Sequence, residues 1–466
     1  METRWTLAEV AQAVDGKLVG TDAPITGSVV TDSREVADGS LYVARRGEHA
    51  DGHRFLGSAR AAGAAGAIVT DAEAARAAGL PAVVVADATV ALGLLAKYHV
   101  RRLREAGPLE VVGITGSAGK TTTKDLLRQV LQTVAPTVAP KLSYNNEVGL
   151  PLTALAAGAQ TRYLVLEEGA SGPGHIAYLT ALIPLDFAVE LMVGQAHLGG
   201  FGSVEALAAA KAELVEGLLP TGCAILNADD PRVMAMASKA PRVTTFGRAP
   251  GADVRADNVT LDAWRPRFDL VIGGKSAPVA LTLVGAHHVA NALAAAAAAH
   301  ALGMDVDQIA QALSEARALS PHRMAVSDLS GDVVLIDDSY NANPDSLRAG
   351  LDALAGIAAP RPGHTIAVIG EMLELGPTSD DLHAECGAYA KALGVDHVVT
   401  LGEGARPFGA AFGDATPARD VDDAVAIVAG LVRPGDTILV KGSNSSGAFR
   451  VADALVSSSS SKEQSL

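Results

Sequence analysis

The stretch Val111-Val-Gly-Ile-Thr-Gly-Ser-Ala-Gly-Lys-Thr121 decides the fold class of this chain. An apolar run rich in β-branched residues leads into a glycine-rich turn, and a helical pattern follows at once. Free backbone N–H groups at the start of such a helix, together with the helix dipole, face an anion. The order of strand, glycine loop and helix predicts a phosphate-binding loop in an α/β domain. An ordinary tight turn is the competing interpretation.

The loop has the short form Gly116-x-x-Gly119-Lys120-Thr121, since the longer phosphate-loop pattern would require glycine at Ile114. We expect Lys120 to reach the terminal phosphates of a nucleotide and the Thr121 hydroxyl to bind Mg²⁺. The residues predicted to bind nucleotide here are Gly116, Ser117, Ala118, Gly119, Lys120, Thr121 and Thr122.

Outside this loop, β-rich apolar runs alternate with helical patterns nearly throughout, which is typical of α/β proteins. Breaks at residues 105–108 and 319–321 predict three domains. Their expected limits are 1–107, 108–318 and 319–456. We expect an N-terminal α/β domain, a central doubly wound parallel sheet of the phosphate-loop type and a C-terminal Rossmann-like domain.

Two segments are predicted to differ from the alternating α/β pattern of the three domains. Residues 253–285 have the pattern of an antiparallel insertion within the central domain. The tail, residues 457–466, is polar and low in complexity, so we expect it to be disordered.

Composition excludes several classes of function. The chain has 466 residues, 49% hydrophobic and 19% charged, with a formal charge of -15. This charge argues against a nucleic-acid partner, because phosphate backbones require Lys and Arg. Cys223 and Cys386 offer neither a disulfide framework nor metal-ligand spacing. The N-terminus lacks an apolar signal segment and the longest apolar run, Ala292–Leu302, is too short to span a bilayer, so we expect a cytoplasmic protein without a membrane partner.

Several motifs resemble those of one family, the Mur ligases, which use the same short phosphate loop. In the central unit they are Tyr144-Asn-Asn-Glu-Val-Gly-Leu-Pro151, Glu167-x-Gly169-Ala170 and Gly285-x-His287-x-x-x-Asn291. In the last unit they are Asp337-Asp-Ser-Tyr-Asn-Ala-Asn-Pro344, Gly370-Glu-Met-x-Glu-Leu-Gly376 and Val440-Lys-x-Ser443. In the first unit they are Thr31-Asp-Ser-Arg34, Gly39-Ser-Leu-Tyr-Val-Ala44 and Asp51-Gly-His53. They are most similar to the branch that adds D-alanyl-D-alanine to UDP-N-acetylmuramoyl-tripeptide.

This resemblance implies a monomeric, ATP-dependent ligase whose first domain binds a uridine nucleotide. Its partners would be a UDP-linked muramoyl peptide and D-Ala-D-Ala. The implied chemistry is phosphorylation of a carboxylate by ATP with Mg²⁺, followed by attack of an amine on the acyl phosphate.

The resemblance also implies a role for individual residues. The implied metal ligands are Thr121, Glu167, His197 and Lys211, the last as a lysine carbamylated by CO₂. The implied catalytic residues are Lys120, His197, Lys211, Asn145 and Asn146. The implied nucleotide contacts beyond the loop are His287, Asn291, Arg323 and Asp338. The implied substrate contacts are Ser33, Arg34, Tyr340, Asn343, Lys441 and Ser443.

The chain departs from the family pattern near the acyl and metal side of the central domain. The departures are Gln195, Gly199, Gly200, Ser171 and Met192, the last standing where the family usually has asparagine. Ordinary drift in a cell-wall enzyme is one interpretation of them. The others are a paralogue that joins a different carboxylate and amine in specialised metabolism, and an impaired ligase.

Three further classes compete with this branch. A phosphate-loop kinase or GTPase would need neither Glu167, His197 and Lys211 nor a third domain. A folate polyglutamyl ligase usually lacks an N-terminal unit such as residues 1–106. A non-catalytic nucleotide-binding partner protein would be supported only by Met192 and by the missing acidic residue after His197.

Overall fold

The computed structural model describes residues 4–47, 50–194 and 201–463. Within these ranges the chain forms one α/β architecture with three larger sheets, drawn in turn from the first, middle and last part of the sequence. The predicted α/β class is therefore confirmed. The predicted domain limits stay predictions, although each sheet lies within one of the three predicted ranges.

The N-terminal sheet has five strands, parallel except for the first in sheet order. In sheet order these strands are Lys17–Val19, Ala82–Val84, Gly66–Val69, Leu41–Val43 and Val29–Val30. A separate antiparallel pair joins Trp5–Thr6 to Pro24–Ile25. The helices of this part are Leu7–Ala13, Leu56–Ala61, Ala72–Ala78 and Ala88–Ala106.

The central sheet has nine strands. In sheet order they are Lys275–Ala280, Arg265–Ile272, Val254–Asp262, Val243–Gly247, Leu218–Asn227, Leu185–Glu190, Glu110–Thr115, Tyr163–Glu167 and Thr137–Val138. The first three pair antiparallel and the rest pair parallel, so the predicted antiparallel insertion extends this same sheet. Its helices are Lys120–Gln132, Gly149–Leu155, His175–Leu182, Val204–Glu216, Pro231–Met234, His288–Ala301 and Val306–Glu315.

The C-terminal sheet has six strands, parallel except for one antiparallel edge strand, as expected for a Rossmann-like domain. In sheet order they are Ala325–Leu329, Val333–Asp337, Thr437–Lys441, Thr365–Gly370, His397–Leu401 and Ala415–Ala418. Its helices are Pro344–Ala358, Ser379–Ala392, Arg406–Phe412, Val421–Leu431 and Ala448–Glu463.

Two elements differ from their predicted extent. The apolar run Phe187–Val193 predicts a strand that extends to Val193. The strand ends at Glu190 instead, because the chain then bends so that Met192 O accepts from Ser117 N at 2.9 Å. The last helix continues to Glu463 and thus includes much of the tail predicted to be disordered. Within that segment the Ser459 hydroxyl accepts from Ser330 N at 2.7 Å, a tertiary contact that tail composition does not reveal.

The central sheet is covered by apolar side chains on both faces. One face packs against Lys120–Gln132, His288–Ala301 and Val306–Glu315. The other face shares a single hydrophobic core with the N-terminal part, including the long helix Ala88–Ala106. With both faces covered, we expect ligands at the carboxyl ends of the strands, where open α/β sheets bind them.

His99 connects the long N-terminal helix to the central part. Its Nε2 lies 2.8 Å from the Ala157 carbonyl, and burial lowers the pKa of the imidazole to about 4. Because the unfolded chain binds this proton near pH 6.5, stability falls as pH drops through the window from 6.5 to about 4. We expect the wild type to lose up to about 3 kcal/mol more than His99→Gln across this window.

Urea unfolding at several pH values measures this difference directly. Glutamine keeps a donor for the Ala157 carbonyl but cannot be protonated, so carboxylates that titrate in both proteins cancel in the comparison. Parallel stability profiles for the two proteins would contradict a buried neutral His99.

A tryptophan connects the central insertion to the C-terminal part. Ala263 and Trp264 form a turn with φ of 47° and 61°. The indole of Trp264 lies over Gly356, where an added Cβ would come within 1.5 Å of Cζ2. Gly356→Ala should therefore displace the indole and destabilise the protein by about 1–3 kcal/mol.

Fluorescence tests this contact in a Trp5→Phe background, because the chain has only two tryptophans. Gly356→Ala should shift Trp264 emission to longer wavelength as the indole becomes hydrated. Gly430→Ala is the matched control, since that helical glycine has no atom within 4 Å of an added Cβ. Unchanged emission in Gly356→Ala would show that the indole of Trp264 does not lie over Gly356.

Candidate active site

The glycine loop joins the strand Glu110–Thr115 to the helix Lys120–Gln132, as predicted. Gly119 caps the helix with φ of 85°, and an added Cβ would lie 2.3 Å from the Asn291 Oδ1 atom. A side chain there would meet both backbone strain and a clash, so the loop requires glycine. Lys120, Thr121 and Thr122 of the first helical turn line an open cavity.

Lys120 is the cation of this loop. Its Nζ donates to the Gly116 carbonyl at 2.7 Å, which folds the side chain back over the loop. Burial lowers the pKa of the ammonium, and the negative charge of Glu167 opposes that shift. The lysine is thus held beside the position where the terminal phosphates of a nucleotide would lie.

Thr121, Ser143 and Glu167 form a cluster of oxygen donors. The Thr121 hydroxyl lies 2.7 Å from the Ser143 hydroxyl and 3.1 Å from Glu167 Oε2. Ser143 donates to Glu167 Oε1 at 2.9 Å, and Glu167 is only 1% exposed. Oxygen-only donors suit Mg²⁺, which also keeps water and phosphate ligands. The residues present therefore fit this cation, although the described residues contain no group of three His, Cys, Asp or Glu side chains placed to hold a metal.

Arg323 reaches this cluster from the start of the C-terminal part. Its Nη2 donates to the Thr121 hydroxyl at 3.0 Å, and its guanidinium lies 4.1 Å from the centre of the Tyr340 ring. Stacking holds the planar guanidinium in place, so a positive charge is aimed at the phosphate loop.

Asn343 makes a second connection between these parts of the chain. Its side chain caps the helix Pro344–Ala358 by accepting from Ser346 N at 2.8 Å. The amide nitrogen of the same side chain donates to the Ser117 carbonyl at 3.4 Å. One asparagine therefore both starts a C-terminal helix and contacts the phosphate loop.

A cavity of about 370 Å³ lies between the central and C-terminal parts. The predicted residues that line it are Ser117, Ala118, Gly119, Lys120, Thr121, Thr122, Asn145, Glu167, His287, Asn291, Arg323, Asp338, Tyr340, Asn343 and Lys441. Residues from the whole length of these two parts thus converge on one site.

Two histidines and Asn291 form one wall of this cavity. The rings of His287 and His288 lie 4.1 Å apart, and burial lowers the pKa of both imidazoles. Asn291 Nδ2 lies 3.1 Å from His288 Nδ1. A neutral wall of rings and an amide is suited to a nucleoside rather than to phosphate.

Three models of Mur ligase domains match this chain. The model of the Mur ligase family catalytic domain matches residues 26–159, and that of the Mur ligase middle domain matches 114–299. The model of the Mur ligase glutamate ligase domain matches residues 322–444. A Mycobacterium bovis protein named UDP-N-acetylmuramoyl-tripeptide–D-alanyl-D-alanine ligase is 42% identical, with 97% of each chain covered. The chain belongs to the Mur ligase family.

Other relatives agree with this assignment. An Escherichia coli protein of the same name is 34% identical, with 97% of this chain and 98% of that protein covered. Among solved structures, MurF from Acinetobacter baumannii superposes with a TM-score of 0.87 at 31% identity, covering 98% and 99% of the two chains. MurF from Thermotoga maritima in complex with ADP gives 0.79 at 28% identity, covering 94% and 99%. The family resemblance is therefore confirmed.

Several predicted residues of this Mur ligase lie outside the cavity. Ser33 and Arg34 belong to a 3₁₀ turn of the N-terminal part, where Arg34 pairs with Asp32. Asn146 accepts from Val148 N and Gly149 N, a turn role that competes with catalysis. His197, with Gln195, Gly199 and Gly200, lies outside the described residues.

Lys441 and Ser443 were expected to bind a substrate carboxylate. Lys441 is 1% exposed and its Nζ donates to Asp338 Oδ2 at 2.5 Å, so an internal carboxylate already neutralises it. Ser443 accepts from Leu373 N at 2.9 Å and lines an adjoining cavity of about 230 Å³. Tyr340 and Asn343 line both cavities. Their roles stay predictions.

Lys211 lies in the helix Val204–Glu216 and is 2% exposed. Burial lowers the pKa of its ammonium and the nearby Lys120 charge lowers it further, while Glu190 opposes both. A buried lysine that loses its proton readily can react with CO₂ through its neutral amine. The predicted carbamylation stays a prediction that fits this environment.

Sequence reasoning missed Ser143, which bridges Thr121 and Glu167. The sequence gives no signal for Ser143 beyond its place just before the motif Tyr144–Pro151. Sequence reasoning also missed Met324, Asn341 and Ser346, which line the cavity from the C-terminal part.

Proposed function

We propose that this Mur ligase joins the carboxylate of UDP-N-acetylmuramoyl-tripeptide to D-alanyl-D-alanine, at the cost of ATP, in peptidoglycan precursor synthesis. The observation that carries the proposal is the single cavity in which Lys120, Thr121 and Glu167 meet Arg323. The names of the relatives, which align along nearly the whole chain, supply the identity of the two substrates.

In the first step a carboxylate oxygen of the acyl substrate attacks the γ-phosphorus of ATP. The bond from that phosphorus to the β–γ bridging oxygen breaks, which gives an acyl phosphate and ADP. Lys120 and Arg323 provide positive charge beside the transferring phosphoryl group. When bound by Thr121 and Glu167, Mg²⁺ would neutralise phosphate charge during this transfer.

In the second step the amine nitrogen attacks the acyl carbon and forms a tetrahedral intermediate. Collapse of the intermediate expels inorganic phosphate, and the proton of the attacking amine passes to solvent or to the leaving phosphate. Arg323 and Asn343 join the C-terminal part to the phosphate loop, so the acyl phosphate would form in a cavity shielded from water. This shielding favours the amine over hydrolysis.

A paralogue with another carboxylate or amine is the second candidate, and one observation favours it. Met192, a departure from the family pattern, lines the cavity beside the phosphate loop. A thioether there cannot supply the hydrogen bonds of the amide that the family pattern has at this position. Ser171, another departure, does not line the cavity. Its Oγ lies 2.9 Å from His175 Nδ1.

The deciding experiment supplies ATP, Mg²⁺, UDP-N-acetylmuramoyl-tripeptide and D-Ala-D-Ala to the purified protein. We expect phosphate release and a UDP-pentapeptide mass only when all components are present. ATP turnover that appears only with other carboxylate–amine pairs would favour the paralogue. Absence of turnover with every pair, despite ATP binding, would refute a ligase.

Three further statements belong to this proposal. Mg²⁺ is the proposed cation, and its proposed protein ligands are Thr121, Glu167, His197 and a carbamylated Lys211. We also propose a cytoplasmic monomer. No helix among the described residues combines the length and apolarity needed to cross a bilayer.

A further inference from the structure

Three buried polar side chains without partners stand side by side beneath the phosphate loop. They are Glu168, Thr115 and Glu190, each 0% exposed. All four carboxylate oxygens and the Thr115 hydroxyl lack a hydrogen-bond partner among the described residues. Burying unpaired carboxyl groups is costly, so buried charges are normally paired or bind a cation.

The sheet register places these three residues in a row. Glu190 pairs with Thr115 across two parallel strands. On the other side Glu167 pairs with Ile114, and Glu168 N donates to the Ile114 carbonyl, so Glu168 lies next to Thr115. With strands about 4.8 Å apart, the two glutamates flank the threonine at a backbone separation of about 10 Å.

The two carboxylates face the same side of the sheet. An added Cβ on Gly113 would lie 2.9 Å from Glu168 Oε1, so this oxygen lies on the face that Gly113 shares with Thr115. Glu190, which pairs with Thr115 in parallel register, extends to that face as well. Side chains of glutamate length can therefore bring both carboxylates over the Thr115 hydroxyl.

This row is separate from the nucleotide cluster. Adjacent residues of an extended chain point to opposite faces, and Glu167 points to Thr121 and Ser143. Glu168 points away from them into the core below the loop. A cation held by the row would not share a carboxylate with one held by Thr121 and Glu167.

The surrounding charges leave the row short of positive charge. The charges of Lys211 and Lys120 lower the pKa of Glu190, and the charge of Asp230 raises it. The charge of Glu190 in turn raises the pKa of Glu168. Lys120 belongs to the phosphate loop, and Asp230 adds negative charge. Lys211 supplies at most one positive charge to the two carboxyl groups, and none when it is carbamylated as proposed above.

We propose that Glu168, Thr115 and Glu190 bind a hard metal cation, Mg²⁺ or K⁺, at a structural site beneath the phosphate loop. The donors are all oxygen atoms, which select such cations over softer metals. The site would connect the ends of three central strands directly below the loop that binds ATP.

Thermal unfolding of the metal-free, nucleotide-free protein tests the proposal, with MgCl₂ and KCl titrated separately against choline chloride. We expect one of the two salts to raise the midpoint in a saturable way, since a ligand bound only by the folded state stabilises it. The salt that acts identifies the cation. Glu168→Gln/Glu190→Gln should lose this dependence, and Thr115→Val should weaken binding about ten-fold.

Glu167→Gln is the matched control, because it alters the nucleotide cluster but leaves the row unchanged. Its midpoint should respond to the cation as the wild type does, and neither readout depends on ligase activity. For Mg²⁺, binding of Mn²⁺ followed by electron paramagnetic resonance should give one bound ion that the double variant lacks. An unresponsive wild type, or a double variant that responds equally, would overturn the proposal.

Discussion

Lys120→Ala should reduce kcat/KM for phosphate release about 10³-fold, the largest loss expected from a single substitution in this chain. The side chain places an ammonium group beside the phosphate loop, 2.7 Å from the Gly116 carbonyl. Arg323 does not replace it, because its guanidinium approaches the cluster from the side of Thr121. The charge that develops on the transferring phosphoryl group would therefore be stabilised much less.

Steady-state phosphate release, with ATP varied from below to above its KM, measures this loss, and thermal unfolding shows whether the variant is folded. Lys239→Ala is the control, since that lysine forms an exposed ion pair with Glu216 in the same part of the chain. It should keep wild-type activity. Retention of more than about a tenth of wild-type activity by Lys120→Ala would contradict the assigned role.

Arg323→Ala should lower kcat about 10²-fold and weaken ATP binding. The substitution removes the donor to the Thr121 hydroxyl and the stacking on Tyr340. Because Arg323 belongs to the C-terminal part, its loss also removes a contact that holds this part over the phosphate loop. A share of the acyl phosphate should then be lost to water.

This loss to water gives a readout that a purely structural defect would not produce. In Arg323→Ala the ratio of phosphate released to amide formed should rise above one, whereas the wild type should keep it near one. Arg323→Lys keeps the charge but not the planar fork, so we expect an intermediate effect of about ten-fold.

Arg317→Ala is the matched control for Arg323. It lies on the same connection between the two parts, is exposed and contacts Gln129 through its backbone. Its activity and its product ratio should equal those of the wild type. A ratio near one in Arg323→Ala would show that this arginine does not help to exclude water.

Local patterns predicted the elements that carry the nucleotide site. The glycine loop, its preceding strand and its following helix were all found where the pattern placed them. The pattern Thr6–Val14 likewise predicts a capped helix, and the first helix does begin after Thr6, because a capping box is complete within a few residues. The strand predicted to reach Val193 ends three residues earlier, at Glu190, because a contact between Met192 and Ser117, far away in sequence, bends the chain.

Several contacts within the site could not have been found from the sequence. Ser143 has no distinctive spacing, and its role appears only when its loop folds against Thr121 and Glu167. The contact of Lys441 with Asp338 arises because its strand pairs with the one that ends at Asp337. Spacing along a chain does not report such pairings between distant strands.

The sequence by itself determined the phosphate loop, the α/β class and the family, because these depend on short motifs and on local periodicity. Tertiary structure alone decided which face each buried charge occupies. Glu167 and Glu168 are neighbours in sequence, yet one joins the nucleotide cluster and the other joins Thr115 and Glu190 in the core. The physical reason is that strand register, which depends on pairing between segments far apart in the chain, determines which side chains meet.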